Sequence, residues 1–187
     1  LKKINTTDSN DKTLPDMKEF YLKKLDYIKE YLCLNDDYYF YDKAKELVKG
    51  IKDSMTFVHG DCHFKNIMVQ GEDLLLIDMD TLSRGNPIFE LAAIRCTYVA
   101  FEEDDPGNCM KFLGVDTPLC HKLYDDIVMT YYQRNDKTIY QKIALLSYIH
   151  MVWWTLINDK DNKVRLNGCK DRLLHLLNIV DDLNIEV

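Results

Sequence analysis

No cluster of lysine or arginine occurs in this 187-residue sequence, and its formal charge is −7. Nucleic-acid phosphates are met by grouped basic side chains, so neither DNA nor RNA is an expected partner. Long apolar runs are also lacking. The most apolar stretch, Asp136 to Asn158, is interrupted by Ser147 and His150 and falls short of the roughly 20 apolar residues that a membrane crossing needs. It is expected to be a buried helix, and no signal-peptide pattern opens the chain. The six cysteines, at 33, 62, 96, 109, 120 and 169, form no C-x-x-C pair and no paired histidine spacing accompanies them. Neither a zinc site nor a disulfide framework is indicated, and a reducing cytoplasm is the expected setting. Internal repeats and low-complexity tracts are absent.

What is present is ordinary for a folded domain: 47% apolar and 29% charged residues, on a length that suits one domain with a substantial core. Residues 1–13 open with Leu, Lys, Asn, Thr and Asp and are expected to be a linker or a cut end; the folded unit is expected over 14–187. From Leu14 the pattern turns helical, with Thr13 able to cap, Pro15 suited to the first turn, and Met17, Tyr21, Leu25, Ile28 and Leu32 recurring at helical spacing. A second helix runs through Phe40, Ala44, Leu47, Val48 and Ile51. Beyond residue 88 four more helical stretches are expected, over 88–102, 118–134, 136–158 and 165–183. Trp153 and Trp154 are expected chiefly to pack in the core, with one wall of a ligand pocket as the other reading. The acidic run Glu102 to Asp105 precedes the turn signal Pro106-Gly107. It is expected to be a solvated loop, or else a segment that attracts a cation.

The most informative stretch is His59 to Asp80, HGDCHFKNIMVQGEDLLLIDMD. Asp61 lies in a short polar segment between the apolar runs 55–58 and 67–69, as a loop residue held by strands on either side. Asn66 offers a neutral oxygen ligand and Asp78 an ionised one. Hard cations such as Mg²⁺ take oxygen ligands and usually keep waters beside one or two carboxylates. The hairpin signal Gln70-Gly71-Glu72-Asp73 folds the strand after Asn66 back on Leu74 to Ile77, which would bring Asn66 and Asp78 together. Cys62, beside Asp61, is expected to be a small loop filler and not a reactive thiol.

H-G-D-x-x-x-x-N followed by I-D-x-D resembles the catalytic and metal-binding segments of the aminoglycoside phosphotransferase and choline kinase families, relatives of the protein kinases. The resemblance implies that Asp61 is the catalytic base, that Asn66 and Asp78 hold Mg²⁺ on the phosphates of ATP, and that His59 orients the loop. Asp80 falls where the choline kinase branch has a second acid, implying a supporting contact. Gly85-Asn86-Pro87-Ile88-Phe89-Glu90-Leu91-Ala92 is similar to the family's G-[DN]-P-x-x-D-L-A, whose Asp braces the catalytic loop; this chain carries Glu90 there. Lys65 stands where many relatives have Gly, open to a phosphate contact or to solvent. By motif the resemblance covers residues 57–92.

The fold implied is α+β, mostly α: a protein-kinase-like C-terminal lobe with a small catalytic β-ribbon. Such enzymes also cover the nucleotide with a Gly-rich loop and a strand Lys, and the seven glycines here contain no G-x-G. The expectation is therefore an ATP-dependent phosphotransferase acting on a hydroxyl of a small molecule, aminoglycoside-, choline- or sugar-like and open to a cationic acceptor. Its N-terminal lobe would lie outside these residues and the fragment would be inert alone. Two other readings stand beside it. One is a non-catalytic binding module of the same fold. The other is a phosphohydrolase using Asp78-Met79-Asp80, in which Thr81 comes one position too early for the haloacid dehalogenase motif that it resembles.

Overall fold

The computed structural model describes residues 1–9, 11–33 and 37–185; Asn10 of the expected linker, and 34–36 and 186–187 of the expected folded unit, lie outside them. The architecture is mostly helical, with two small antiparallel ribbons inserted between the first and last groups of helices.

Residues 1–9 do not behave as a linker. They carry a helical turn, α1 (Lys2–Asn5), and then run beside the first strand. Phe57 N donates to Thr7 O at 3.3 Å and Ser9 N donates to Met55 O at 2.7 Å. Asn5 is fully buried. The physical reason is polar satisfaction: its amide donates to Phe57 O at 2.7 Å and to Glu90 Oε2 at 3.3 Å, while Tyr131 Oη donates to its carbonyl oxygen. A segment that supplies a buried, fully bonded side chain is part of the core's polar framework.

The helix expected from Leu14 starts three residues later. In α2 (Met17–Tyr27) the cap is Asp16, whose carboxylate accepts from Lys18 N at 2.9 Å and Glu19 N at 3.3 Å. Thr13, the expected cap, instead donates its hydroxyl to Asp11 at 2.6 Å. Both residue types cap well, and the one next to the apolar repeat wins. Helices α3 (Lys29–Leu32) and α4 (Tyr39–Lys49) follow, and α4 ends at Gly50. After the ribbons come α5 (Ile88–Arg95), a π-helical segment Cys96–Ala100, α6 (Phe101–Asp104), α7 (Asn108–Leu113) and α8 (Thr117–Tyr132). The chain closes with α9 (Lys137–Asn158) and α10 (Lys163–Ile179).

Helix α9 is the hub. It packs against α10, α5, α2 and the π segment, so it buries side chains all round, among them Ile143, Leu145, Leu146, Ile149 and Val152. This is why its sequence lacks a polar face. Among the described residues no helix is long and apolar enough to cross a membrane.

The ribbons carry the motif. Strand β1 (Phe57–Val58) pairs antiparallel with β4 (Ser83–Arg84), placing Val58 opposite Ser83. Between them β2 (Ile67–Gln70) and β3 (Asp73–Leu76) form the expected hairpin, with Gln70 opposite Asp73 and a two-residue Gly71-Glu72 turn. Gly71 has φ +66°, a conformation that a residue without Cβ adopts freely.

The acidic run is neither a solvated loop nor a free patch. Glu103 pairs with Arg95 and accepts from Tyr148, Asp104 pairs with Arg165 at 2.6 Å, and Asp105 pairs with Lys111 at 3.0 Å. Glu102 is buried and accepts from Gly107 N and Cys109 N, both at 2.7 Å, and from Thr117 Oγ1 at 2.6 Å. Burial pushes its pKa up, but the bonds from Cys109, Thr117 and Gly107 outweigh burial and hold it near 2. A carboxylate with a lowered folded pKa contributes stability above its unfolded value, near 4.5, that is lost as pH falls toward 2. We expect Glu102→Gln to be destabilised at neutral pH and to lose less stability than the wild type between about pH 5 and pH 2, measured by denaturant titration across that range.

Candidate active site

Asp61 sits in the loop after β1 and lines a cleft of about 650 Å³. Three anchors hold that loop. The first is His59, which is buried. Its Nε2 lies 3.0 Å from Ile77 O and its Nδ1 3.3 Å from Asp61 N. A carbonyl only accepts, so the proton is on Nε2 and Nδ1 accepts the Asp61 N–H. One ring thus ties the loop to the exit of the hairpin. The second anchor is Thr81, whose hydroxyl donates to His59 O at 2.6 Å. The third is Glu90 on α5, fully buried, which accepts from His59 N at 2.6 Å and Gly60 N at 3.2 Å. The extra methylene of Glu relative to Asp therefore does not prevent the bracing contact. Gly60 has φ +82°, and a Cβ there would stand 3.2 Å from Thr81 O, so the loop requires glycine.

Asn66 is buried and its amide nitrogen donates to Asp61 O at 2.9 Å and Asp61 Oδ2 at 3.2 Å. With the nitrogen committed, the amide oxygen remains as its ligand atom. Asn66 O accepts from Ile77 N at 2.9 Å, which extends the hairpin register by one pair and sets Asp78 one residue beyond. Asp78 is exposed, with φ +62°. That left-handed conformation is uncommon outside glycine, costs on the order of 1–2 kcal/mol and concentrates at functional sites. It turns the chain sharply into the 3₁₀ turn Met79–Thr81, where Asp80 borders the cleft.

The donors fit a hard cation. Asn66 and Asp78 offer oxygen only, and among the described residues no cluster of three His, Cys, Asp or Glu stands ready for a metal. Two protein oxygens would need phosphate and water to complete a shell, the habit of Mg²⁺ rather than Zn²⁺. Lys65 is exposed, its ammonium 4.3 Å from the Phe112 ring centre. Burial first, and then Glu90 and Asp61, push the Cys62 thiol up to about 12, so it stays protonated and unreactive at neutral pH.

The cleft adds residues that the motif did not name. His63 is buried, with Nε2 3.4 Å from Asp61 Oδ1 and its ring edge-on to Phe112. Trp153 and Trp154 are only partly buried and line the cleft, so the pocket-wall reading describes them better than core packing. Their rings meet Phe20 and Phe101 edge-on at 5.6 and 5.1 Å. Lys24 and His150 also line the cleft and lie 2.7 Å apart. A signal for Lys24 was present: it falls on the inward face of α2 with Met17, Tyr21 and Ile28, where a lysine has no ordinary reason to be.

Asp61 and Asp80 thus line one cleft, with Asn66 bonded to Asp61 and Asp78 at the hairpin exit. The chain belongs to the phosphotransferase enzyme family, the family labelled APH, whose sequence model matches residues 1–110. No curated protein and no solved structure gives a significant match.

Proposed function

We propose that this protein transfers the γ-phosphoryl group of ATP to a hydroxyl of a small molecule, using the C-terminal lobe of a kinase-like fold. The observation that carries the reading is the fixed triangle of Asp61, Asn66 and the hairpin exit at Asp78, held by His59, Thr81 and Glu90. In the proposed step Asp61 orients the acceptor hydroxyl and takes its proton as the oxygen bonds to phosphorus; the bond to the ADP oxygen breaks and ADP departs. Asn66 and Asp78 would hold Mg²⁺, which when bound neutralises charge on the phosphates. Asp80 is positioned for a supporting role at the same edge. The exposed apolar side chains of the hairpin, Met68, Val69, Leu74 and Ile77, offer a surface for a nucleotide-covering segment.

The reading is tested in a chain that includes the nucleotide-covering lobe, by Mg²⁺-dependent ATP binding followed by transfer of labelled phosphate to a panel of hydroxyl compounds. Asp78→Ala is expected to weaken Mg²⁺-ATP binding by about tenfold or more, since even outer-shell changes at metal sites have effects of that size. ATP binding that ignores both Mg²⁺ and Asp78→Ala would sink the proposal.

A further inference from the structure

The acceptor side of the cleft contains an unusual charge. Lys24 is 2% exposed and its ammonium sits among aromatic rings, 4.3 Å from the centre of Phe20, 4.2 Å from Tyr21 and 4.8 Å from Trp153. Its polar partner is neutral: His150 Nδ1 at 2.7 Å. No salt bridge to a carboxylate reaches it among the described residues. Buried lysines are ordinarily paired, because an uncompensated charge in an apolar site is costly. Tyr21, also on the cleft wall, has a buried hydroxyl with no hydrogen-bond partner among the described residues. Two buried donors thus border one cavity, and its lining carboxylates Asp61 and Asp80 form no ion pair with Lys24 among the described residues.

We propose, resting on the phosphotransferase reading, that the acceptor is a compact apolar hydroxyl compound carrying an anionic group, held by Lys24 with its hydroxyl toward Asp61. The size and lining of the cleft suit a small apolar body with few polar contacts. The aromatic box that would otherwise receive a ligand ammonium is filled by the protein's own cation. A cationic acceptor would meet repulsion there, and the carboxylates of 102–105 are engaged by protein partners. An anion instead supplies the missing counter-charge.

The titratable groups around Lys24 are Tyr21 on its own helix, His150 from α9 and the Cys96 thiol from the π segment, with Asp61 and Asp80 elsewhere in the cleft lining. Burial lowers the Lys24 pKa to about 7, with a smaller opposing effect of Cys96. Burial, then the Lys24 charge, keeps His150 neutral. Below about pH 7 Lys24 holds its proton and attracts an anion; above that the attraction fades.

The test uses three probes that share one ring and one hydroxyl: 4-(hydroxymethyl)cyclohexanecarboxylate, its carboxamide, and the corresponding methylamine. Both tryptophans of the chain line the cleft, so their fluorescence reports binding without ATP. At about pH 6 the carboxylate is expected to bind at least about tenfold more tightly than the carboxamide, a typical gain for a hydrogen bond to a charged group, with the amine weakest. Lys24→Met should reduce the carboxylate to the level of the carboxamide. In the wild type the advantage should shrink at about pH 8.5, and this arm decides if the variant does not fold. Equal affinities, failure of the carboxylate to bind, a preferred amine, or a preference indifferent to both pH and Lys24→Met would overturn the inference. With the nucleotide-covering lobe present, phosphoryl transfer without anion preference would sink this inference alone, and anion preference without any transfer would sink the phosphotransferase reading alone.

Discussion

Asp61→Asn is expected to lower the rate of phosphoryl transfer by about 10²–10⁴, the usual range for losing a positioned general base. The acceptor KM and the thermal midpoint should stay close to wild type. The geometry explains the separation. The amide oxygen of the substituted side chain can still accept from Asn66, as Asp61 Oδ2 does at 3.2 Å, and the new amide nitrogen can face His63, 3.4 Å from Oδ1. The backbone bonds of residue 61 to His59 Nδ1 and from Asn66 do not involve the carboxylate. Shape and hydrogen bonds are thus largely kept while the basic oxygen is lost, and the effect falls on kcat. Single-turnover transfer, with circular dichroism melts on the same samples, checks this. A rate within about threefold of wild type, far short of the loss expected for a general base, would remove Asp61 from the chemistry, and a loss matched by unfolding would make its role structural.

How much of this was legible in the sequence depends on how local the determinant is. The hairpin was legible because Gly71 and the apolar strands on either side of it are adjacent in the chain, and so was α9, from its long apolar stretch. The proximity of Asn66 and Asp78 was legible because the hairpin between them sets it, whereas the anchors of Asp61 at Thr81 and Glu90 lie outside the hairpin. The start of α2 was displaced because two competent caps, Thr13 and Asp16, lie close together and only packing chooses between them. The acidic run misled because each carboxylate there is engaged by a group that composition cannot foresee, among them Arg95, Lys111 and Arg165. The role of residues 1–9 was invisible because Asn5 finds its partners at Phe57, Glu90 and Tyr131. The cleft walls are the least local feature: Lys24 and His150 are 126 positions apart. The family match ends at residue 110, so the Asp61 loop and Lys24 lie within it and the tryptophan wall lies beyond.

Glu90→Ala is expected to destabilise the fold by about 3–5 kcal/mol, the range for stripping a buried charged group of its role. For a chain of this length that corresponds to roughly 10 °C in thermal midpoint. Two carboxylate oxygens serve three donors: Oε2 takes His59 N and the Asn5 amide, and Oε1 takes Gly60 N. Alanine leaves all three unmet and opens a void beneath the Asp61 loop. Glu90→Gln keeps the volume but has one accepting end, so at least one N–H is opposed by an amide N–H, which costs about 1–3 kcal/mol. Neither variant titrates at this position, so both differ from the wild type in pH dependence. Burial raises the Glu90 pKa, against the lowering effect of the bonds from His59, Asn5 and Gly60. A carboxyl with a raised folded pKa contributes most below its unfolded value, near 4.5, and that contribution is lost as pH rises through the folded pKa. Glutamine has no such titration. The stability gap between the wild type and either variant should therefore be widest on the acid side and narrow by the same amount toward neutral pH, with Glu90→Ala less stable than Glu90→Gln throughout. Denaturant titrations from about pH 4 to pH 8 would show this. A Glu90→Ala variant as stable as wild type would mean that His59 and Gly60 are held by something other than Glu90, and the bracing of Asp61 would have to be sought elsewhere.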